Sequence, residues 1–396
     1  QLDNQINKQH NKRTSHIVIY MNKAFYHSSN AVLMVRPVDF EFNTQTALDN
    51  EFMKYKEGVT DLALQEFDAS VEILRREGIH VVVLDYQSDS VKTPDAVFPN
   101  NWFGTTRNGK LIVYTMAAES RRAETLRLNH VQQLLAKEGF HFDSSPITLS
   151  SYLGGTDSDI DPDHVLEGTG AFVIDHYGGV LYAAKSCRCS PKALQKYMQI
   201  RGSDLSEAVM FETASSNGKE IYHANVMLSI GSHFAVVCEE SIIETPVDSR
   251  CLGRSQVMSK LANNREVISI SLKQAEQNFC ANILEVRSAN NETLIVMSAS
   301  AFNGFTEEQR KTLSKYGKLV ALPINNGIEY VGGGSARCML AEIFLPKQEQ
   351  VATELTLEAI YWFLKTNQAP LNTQVAADHV SPVFETVYEN MLNTTV

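Results

Sequence analysis

The sequence has no apolar stretch longer than a β-strand, so it offers no membrane-spanning helix. Basic residues are outnumbered. Lys and Arg total 35 against 46 Asp and Glu, and the formal net charge is −11. Nucleic acid is thereby excluded as the main partner, because phosphate binding wants clustered Lys and Arg. A small cationic or zwitterionic substrate is not excluded, since it feels the local site rather than the net charge. Cysteine is sparse. Cys187, Cys189, Cys238, Cys251, Cys280 and Cys338 are scattered, which fits reduced thiols in a cytoplasmic compartment rather than a disulfide scaffold. Cys187-x-Cys189 lacks a second ligand pair nearby, so neither zinc nor any other metal is expected. Gln1 to His16 are polar and lack the basic-then-apolar layout of a signal peptide. No Gly-Lys-Ser/Thr ending follows Gly332–Gly334, so that glycine run is not a nucleotide phosphate loop. Asp157-x-Asp159-x-Asp161-x-Asp163 resembles a calcium loop but has Pro162 where Gly is needed and Gly168 where the bidentate acid belongs. It reads as a solvated acidic loop.

What is present is a globular chain. Apolar residues make up 43%, enough for a sizeable core. Short strand-like runs, bounded by Gly, Asn or Asp, appear at 31–35, 80–84, 110–114, 171–174, 180–184, 226–230, 234–238, 267–270, 294–298, 319–323 and 328–331. Helix-like periodicity appears at 60–77, 119–138, 191–200, 254–261, 306–316 and 337–344. Strand pairs thus alternate with single helices about five times, an α/β arrangement with mixed sheets. Residues 1–27 read as a polar tail and 28–347 as the catalytic domain. Residues 348–396 read as an extension containing an amphipathic helix at 353–366.

Four places carry candidate chemistry. Cys338 follows Gly332-Gly333-Gly334-Ser335-Ala336-Arg337 and precedes an apolar run. A cysteine at a helix N-terminus is favoured as thiolate, and glycines let a backbone approach a ligand. His223 opens a strand-like segment and is placed to reach a cleft. Glu167 stands before Gly168-Thr169-Gly170 and is placed to orient an imidazole or bind a cation. Asp95 and Asn101, six apart across an apolar centre, offer a carboxylate and an amide suited to a planar N–C–N group. Taken singly, each also fits an ordinary core or loop residue.

Their order carries more. Asp95, Glu167-Gly168, His223 and a C-terminal Cys338 resemble the guanidino-group-modifying, or pentein, superfamily. That superfamily includes arginine deiminase, dimethylarginine dimethylaminohydrolase and glycine amidinotransferase. Within it the sequence looks most like the amidinotransferase-related citrulline utilization hydrolases. The matching phrases are Val35-Arg36-Pro37 with Phe40, Asn43, Thr46 and Asn50; Pro94–Trp102; Leu166–Gly170; His223-Ala224-Asn225; and Ile328–Glu342. The resemblance implies a five-bladed α/β propeller of ββαβ units around a pseudo-fivefold axis, with the site in the central channel and no cofactor. It implies Cys338 as nucleophile, His223 as acid and base, Glu167 as its partner, and Asp95 as acceptor for substrate N–H groups. Arg36 is a candidate for the substrate carboxylate or, equally, for a structural pair inside the channel; Arg337 is a weaker candidate for the same carboxylate or a solvated helix-start residue. The sequence departs from the family pattern at Asn225 and Asn101, where relatives carry Asp. A guanidinium has only donors and suits two carboxylates, whereas a ureido carbonyl accepts from an amide and is repelled by an ionised Asp. Asn101 and Asn225 are therefore expected to touch the substrate and to favour citrulline, or arginine taken through two hydrolytic steps. Deimination, dimethylarginine hydrolysis, amidino transfer and a non-catalytic binding module are the alternatives. The expected partner is a small guanidino or ureido amino acid, with no nucleic acid or membrane, and a homodimer stays open.

Overall fold

The computed structural model describes residues 26–88, 91–155 and 160–348. Most of the expected N-terminal tail and the whole helix at 353–366 lie outside them, as do Asp157 and Asp159 of the acidic loop. Among the described residues no helix is long and apolar enough to cross a membrane.

Among the described residues, fifteen strands form five three-stranded sheets. The strands are β1 (Ala31–Val35), β2 (His80–Leu84), β3 (Phe103–Thr105), β4 (Leu111–Val113), β5 (Ile147–Thr148), β6 (Phe172–Asp175), β7 (Val180–Ala184) and β8 (Glu207–Phe211). They continue with β9 (Leu228–Ile230), β10 (Phe234–Val237), β11 (Glu266–Ser269), β12 (Leu284–Arg287), β13 (Thr293–Ser298), β14 (Lys318–Leu322) and β15 (Ala341–Glu342). Each sheet has one plan: an antiparallel pair, then a helix, then a third strand parallel to the second. The crossover helices are α1 (Thr60–Arg76), α2 (Leu128–Lys137), α3 (Pro191–Arg201), α4 (Arg254–Leu261) and α5 (Glu307–Leu313). A parallel neighbour demands such a crossover, whereas an antiparallel one needs only a turn. One sheet joins the two ends of the described chain, with order β15-β1-β2.

Local chemistry explains several elements. Ser190 caps α3 by accepting from the Ala193 N–H, with Pro191 in the first turn. Thr306 and Gln309 form a reciprocal box at the start of α5. All five residues of β1 are buried, as suits a strand covered on both faces.

Three expectations fail for identifiable reasons. Residues 328–331 are helical (Ile328–Gly332), not a strand. The buried Glu66 carboxylate accepts from the backbone N–H groups of Asn326, Gly327 and Ile328, at 2.8–3.2 Å, and so starts a helical turn there. The helix expected at 337–344 covers only Ala336–Met339. Beyond it the chain pairs with β1, Val32 opposite Glu342 and Leu33 opposite Ala341, which closes an otherwise open strand edge. The long helix expected at 119–138 is broken into Glu119–Arg122, a tight turn over 123–127, and α2. The break accompanies Arg121, whose buried side chain bonds Glu124 three residues on and reaches inward to Asn101 and Phe98 O.

Candidate active site

The candidate side chains stand at matching places in different sheet units. A short helical turn precedes the first strand of four units: Pro99–Asn101, Gly168–Ala171, Ala224–Val226 and Ala336–Met339. Glu167 and His223 immediately precede their turns, while Asn101 and Cys338 are the third residues of theirs. Strand–helix–strand units repeated in this way project their entry residues toward one region. That juxtaposition brings together groups more than 200 residues apart in sequence.

His223 Nε2 lies 2.8 Å from Glu167 Oε2, and both side chains are buried. Glu167 also accepts from the Ala117 N–H at 2.9 Å and faces Arg188 Nη1 at 3.4 Å. Burial alone would raise the Glu167 pKa. Arg188 and the His223 bond outweigh it and hold this carboxyl well below the usual carboxylate range. Burial lowers the His223 pKa, and Glu167 offsets that only in part. The ring is therefore neutral at rest. An ionised carboxylate only accepts, so Nε2 carries the hydrogen and Nδ1 holds the lone pair.

Cys338 is buried, with two side-chain amides on its sulfur: Asn225 Nδ2 at 3.4 Å and Asn282 Nδ2 at 3.4 Å. Asn282 is itself fixed. Its Oδ1 accepts from the Arg337 N–H at 3.0 Å and its Nδ2 donates to Asn225 O at 3.0 Å. Asn225 Nδ2 also donates to Thr169 O at 3.2 Å, which ties the cysteine segment to the glutamate segment.

Asp95 Oδ2 accepts from Asn43 Nδ2 at 2.8 Å and Thr46 Oγ1 at 2.9 Å. Its Oδ1 has no hydrogen-bond partner among the described residues. Burial pushes the Asp95 carboxyl pKa up, with Arg121, Thr46 and Asn43 pulling the other way. Asn101 Oδ1 accepts from Arg121 Nη1 at 2.7 Å. A guanidinium only donates, so the Asn101 oxygen must face Arg121 and its amide N–H groups must face away. Asn101 Nδ2 and Asn225 Oδ1 likewise have no partner among the described residues. The cluster thus offers two buried acceptors and one buried donor, a polar set that costs free energy until something pairs with it.

Cys338, His223, Glu167, Asp95, Asn101 and Asn225 belong to this linked cluster. Arg36 and Arg337 are engaged elsewhere. Arg36 bonds Asp68 at 2.7 Å and lies 3.9 Å from Asp85, with a third of its side chain exposed. Arg337 turns from the cysteine toward Leu340 O at 2.9 Å and Glu342 at 3.1 Å. The carboxylate-binding role expected of the two arginines therefore finds no support in their contacts. Sequence reasoning missed Arg121, Arg188 and Asn282. Arg121 sat in what read as one amphipathic helix, Arg188 beside an unremarkable cysteine pair, and Asn282 where no strand was expected.

Glycines at the site are steric requirements. Gly333 has φ +61°, and a Cβ on it would press 2.7 Å from Asn50 Nδ2. A Cβ on Gly170 would lie 2.3 Å from Asn101 Nδ2 and 2.8 Å from His223 Nδ1. Gly170→Ala is accordingly expected to lower kcat/KM by at least ~100-fold, as small misplacements at a site do. The substituted chain should still give the parent circular dichroism spectrum. Activity within a few-fold of the parent would show that this face of His223 is not where substrate sits.

The model of the family described as N,N dimethylarginine dimethylhydrolase, eukaryotic, matches residues 36–345. Among curated proteins no sequence matches. Among solved structures, the chain is similar to the apo form of ArgZ, an arginine dihydrolase from the ornithine-ammonia cycle in cyanobacteria. The TM-score is 0.57 and the identity 15%, covering 80% of this chain but only 41% of that one. The isolated N-terminal domain of ArgZ, as a cysteine-to-serine mutant with bound substrate, is 99% covered at TM-score 0.56 and 15% identity. The dimethylarginine hydrolase DDAH from Pseudomonas aeruginosa, also a cysteine-to-serine mutant and complexed with citrulline, gives TM-score 0.52 and 15% identity, covering 79% of this chain and 99% of that one. These likenesses give the fold, a mixed α/β fold of small sheets. The family match spans well over half of the sequence, and the chain belongs to the N,N-dimethylarginine dimethylhydrolase family.

Proposed function

We propose that this member of the dimethylarginine dimethylhydrolase family hydrolyses a C–N bond of a guanidino or ureido amino acid, with Cys338 as covalent nucleophile. Residues 28–347 form the catalytic domain in this reading, and the five sheet units ring the site as blades of an α/β propeller. The carrying observation is the cluster itself: a sulfur with two amide donors, beside a buried imidazole–carboxylate pair and three unpartnered polar atoms.

The chemistry follows from those groups. Asp95 Oδ1 accepts N–H from the substrate's planar group, and Asn101 Nδ2 donates to a ureido oxygen. His223 Nδ1 takes the Cys338 thiol proton as the sulfur attacks the central carbon, and the resulting adduct collapses as His223 passes that proton to the departing nitrogen. His223 then takes a proton from water as its oxygen attacks the carbon, and sulfur leaves. Glu167 keeps the ring oriented and stabilises its protonated form. Arginine taken through both steps consumes two waters and yields ornithine, carbon dioxide and two ammonia molecules. The amide at Asn101 favours this dihydrolytic course. A second reading, release of dimethylamine from a methylated arginine with citrulline as product, is favoured by the description of the matching family model. Incubation with arginine, citrulline and dimethylarginine separately, with products identified by mass, decides between them. Ornithine from citrulline supports the first. Citrulline that accumulates without ornithine overturns it.

The His223–Glu167 pair sets a pH expectation. Premature protonation of His223 blocks its work as base, so activity falls as pH drops through its pKa. Because burial lowers that pKa, the acid limb of kcat/KM is expected below pH 6.5, the reference value for histidine. Glu167 raises the His223 pKa, so Glu167→Gln moves the limb further down and cuts kcat by ~100-fold or more. A limb that moves upward in Glu167→Gln would remove Glu167 from this role.

A further inference from the structure

A cavity of about 50 Å³ lies behind the catalytic layer, and none of Cys338, His223, Glu167 or Asp95 lines it. Its walls include Thr169, Leu228, Ile283 and Arg337, each close in sequence to a site residue but on the strand side. On this measure one water needs roughly 10–15 Å³, so the space accommodates a small polyatomic ion.

Three of its lining side chains, each more than nine-tenths buried, carry a polar atom without a hydrogen-bond partner among the described residues: Arg201 Nε, Ser229 Oγ and His27 Nδ1. Arg201 is held in place, its Nη1 donating to Tyr197 OH at 2.7 Å, and its nearest carboxylate is Asp204 at 3.7 Å. His27 Nε2 lies 3.0 Å from Ile230 O. A carbonyl only accepts, so Nε2 carries the hydrogen and Nδ1 is an acceptor in the neutral ring. Asp175 Oδ1 lies 4.0 Å from that Nδ1 and pairs with Arg265. Arg201 and Arg337 line the cavity with one carboxylate, Glu342, which pairs with Arg337 at 3.1 Å, so Arg201 is the lining guanidinium with no carboxylate closer than 3.7 Å. Arg107 Nη1 lies 3.2 Å from Nδ1 of the lining His176. The His176 pKa is lowered, by burial first and then by His27, Arg107, Arg201 and Arg337.

We propose that this cavity is a second ligand site, separate from the Cys338 centre, which binds a small protonated oxyanion of the hydrogen-phosphate class. Such an ion presents acceptor oxygens to Arg201 Nε and Ser229 Oγ and an O–H donor to His27 Nδ1. Sulfate has the acceptors and the charge but no O–H at neutral pH, so it leaves His27 Nδ1 facing a lone pair. The assignment does not depend on which substrate Cys338 attacks.

Calorimetric titration of the full chain with inorganic phosphate, and separately with sulfate, tests it. Saturable phosphate binding is expected, with sulfate weaker by about tenfold, the worth of one buried hydrogen bond and the repulsion that replaces it. Ser229→Ala, which breaks no existing bond, weakens phosphate binding by roughly 2- to 10-fold, and Arg201→Gln by at least about tenfold. Cys338→Ser leaves it unchanged. A thermal melt shows whether Arg201→Gln folds, and if it does not, Ser229→Ala decides. No saturable phosphate binding by the parent, sulfate binding equal to phosphate, unchanged affinity in Ser229→Ala, or loss of binding in Cys338→Ser would each overturn the proposal.

Discussion

Cys338→Ser is expected to lower kcat by at least ~10⁴-fold, with substrate affinity changed only a few-fold. A serine hydroxyl keeps the volume but is far harder to ionise. The Asn225 and Asn282 amides on the sulfur would then face a neutral oxygen rather than a developing charge. Affinity survives because the groups that pair with the planar substrate, Asp95 and Asn101, are untouched. A companion measurement is alkylation by a haloacetamidine at neutral pH, followed by peptide mass analysis. The other thiols are poor competitors. Burial pushes Cys189 and Cys280 up to about 12 and Cys238 and Cys251 up to about 11. Cys187 is raised further, by burial and the adjacent Asp49 carboxylate. Label on any of these five ahead of Cys338, or a serine variant with more than about a tenth of parent activity, would be incompatible with covalent catalysis at Cys338.

Asn101→Asp is expected to separate the two hydrolytic steps. Arg121 Nη1 holds Asn101 Oδ1 at 2.7 Å, and an Asp would keep that contact through one oxygen. Its second oxygen would replace the amide that now has no protein partner. Facing a ureido carbonyl, an acceptor meets an acceptor. Loss of the bond and the added repulsion together cost ~3 kcal/mol, or about 100-fold in kcat/KM for citrulline. A guanidinium substrate has only donors and loses much less. Arginine should then stop at citrulline in the variant. Equal losses on arginine and citrulline, measured under the same conditions, would mean that Asn101 does not meet the substrate oxygen.

The two asparagines illustrate how far the sequence reached. Asn101 and Asn225 were noticed because an acid was expected at each place, but nothing in the sequence says which way an amide points. Arg121 decides that for Asn101, and Arg121 was hidden in a stretch that reads as a plain amphipathic helix. Arg36 stood between two roles, a substrate carboxylate or a structural pair. Its neighbourhood resembles the family strongly, yet Asp68 and Asp85 claim its guanidinium at the edge of α1 and β2. Long arginine side chains reach several possible partners, so position along the chain does not fix which one wins.

The sequence by itself determined the alternation of strand pairs and helices, because apolar period and Gly or Asn punctuation are local properties. It determined the order of Asp95, Glu167, His223 and Cys338, and with it the superfamily. It also placed the glycines that let Cys338 and His223 be approached. The tertiary structure decided the rest through contacts across long separations. Glu66 turns residues 328–332 into a helix from 262 residues away in sequence, and β1 pulls residues 341–342 out of one. Arg188 sets the charge of Glu167, and Asn282 supplies the second amide to a sulfur 56 residues away. Charge state and amide orientation depend on partners, and partners are chosen only when distant strands come together.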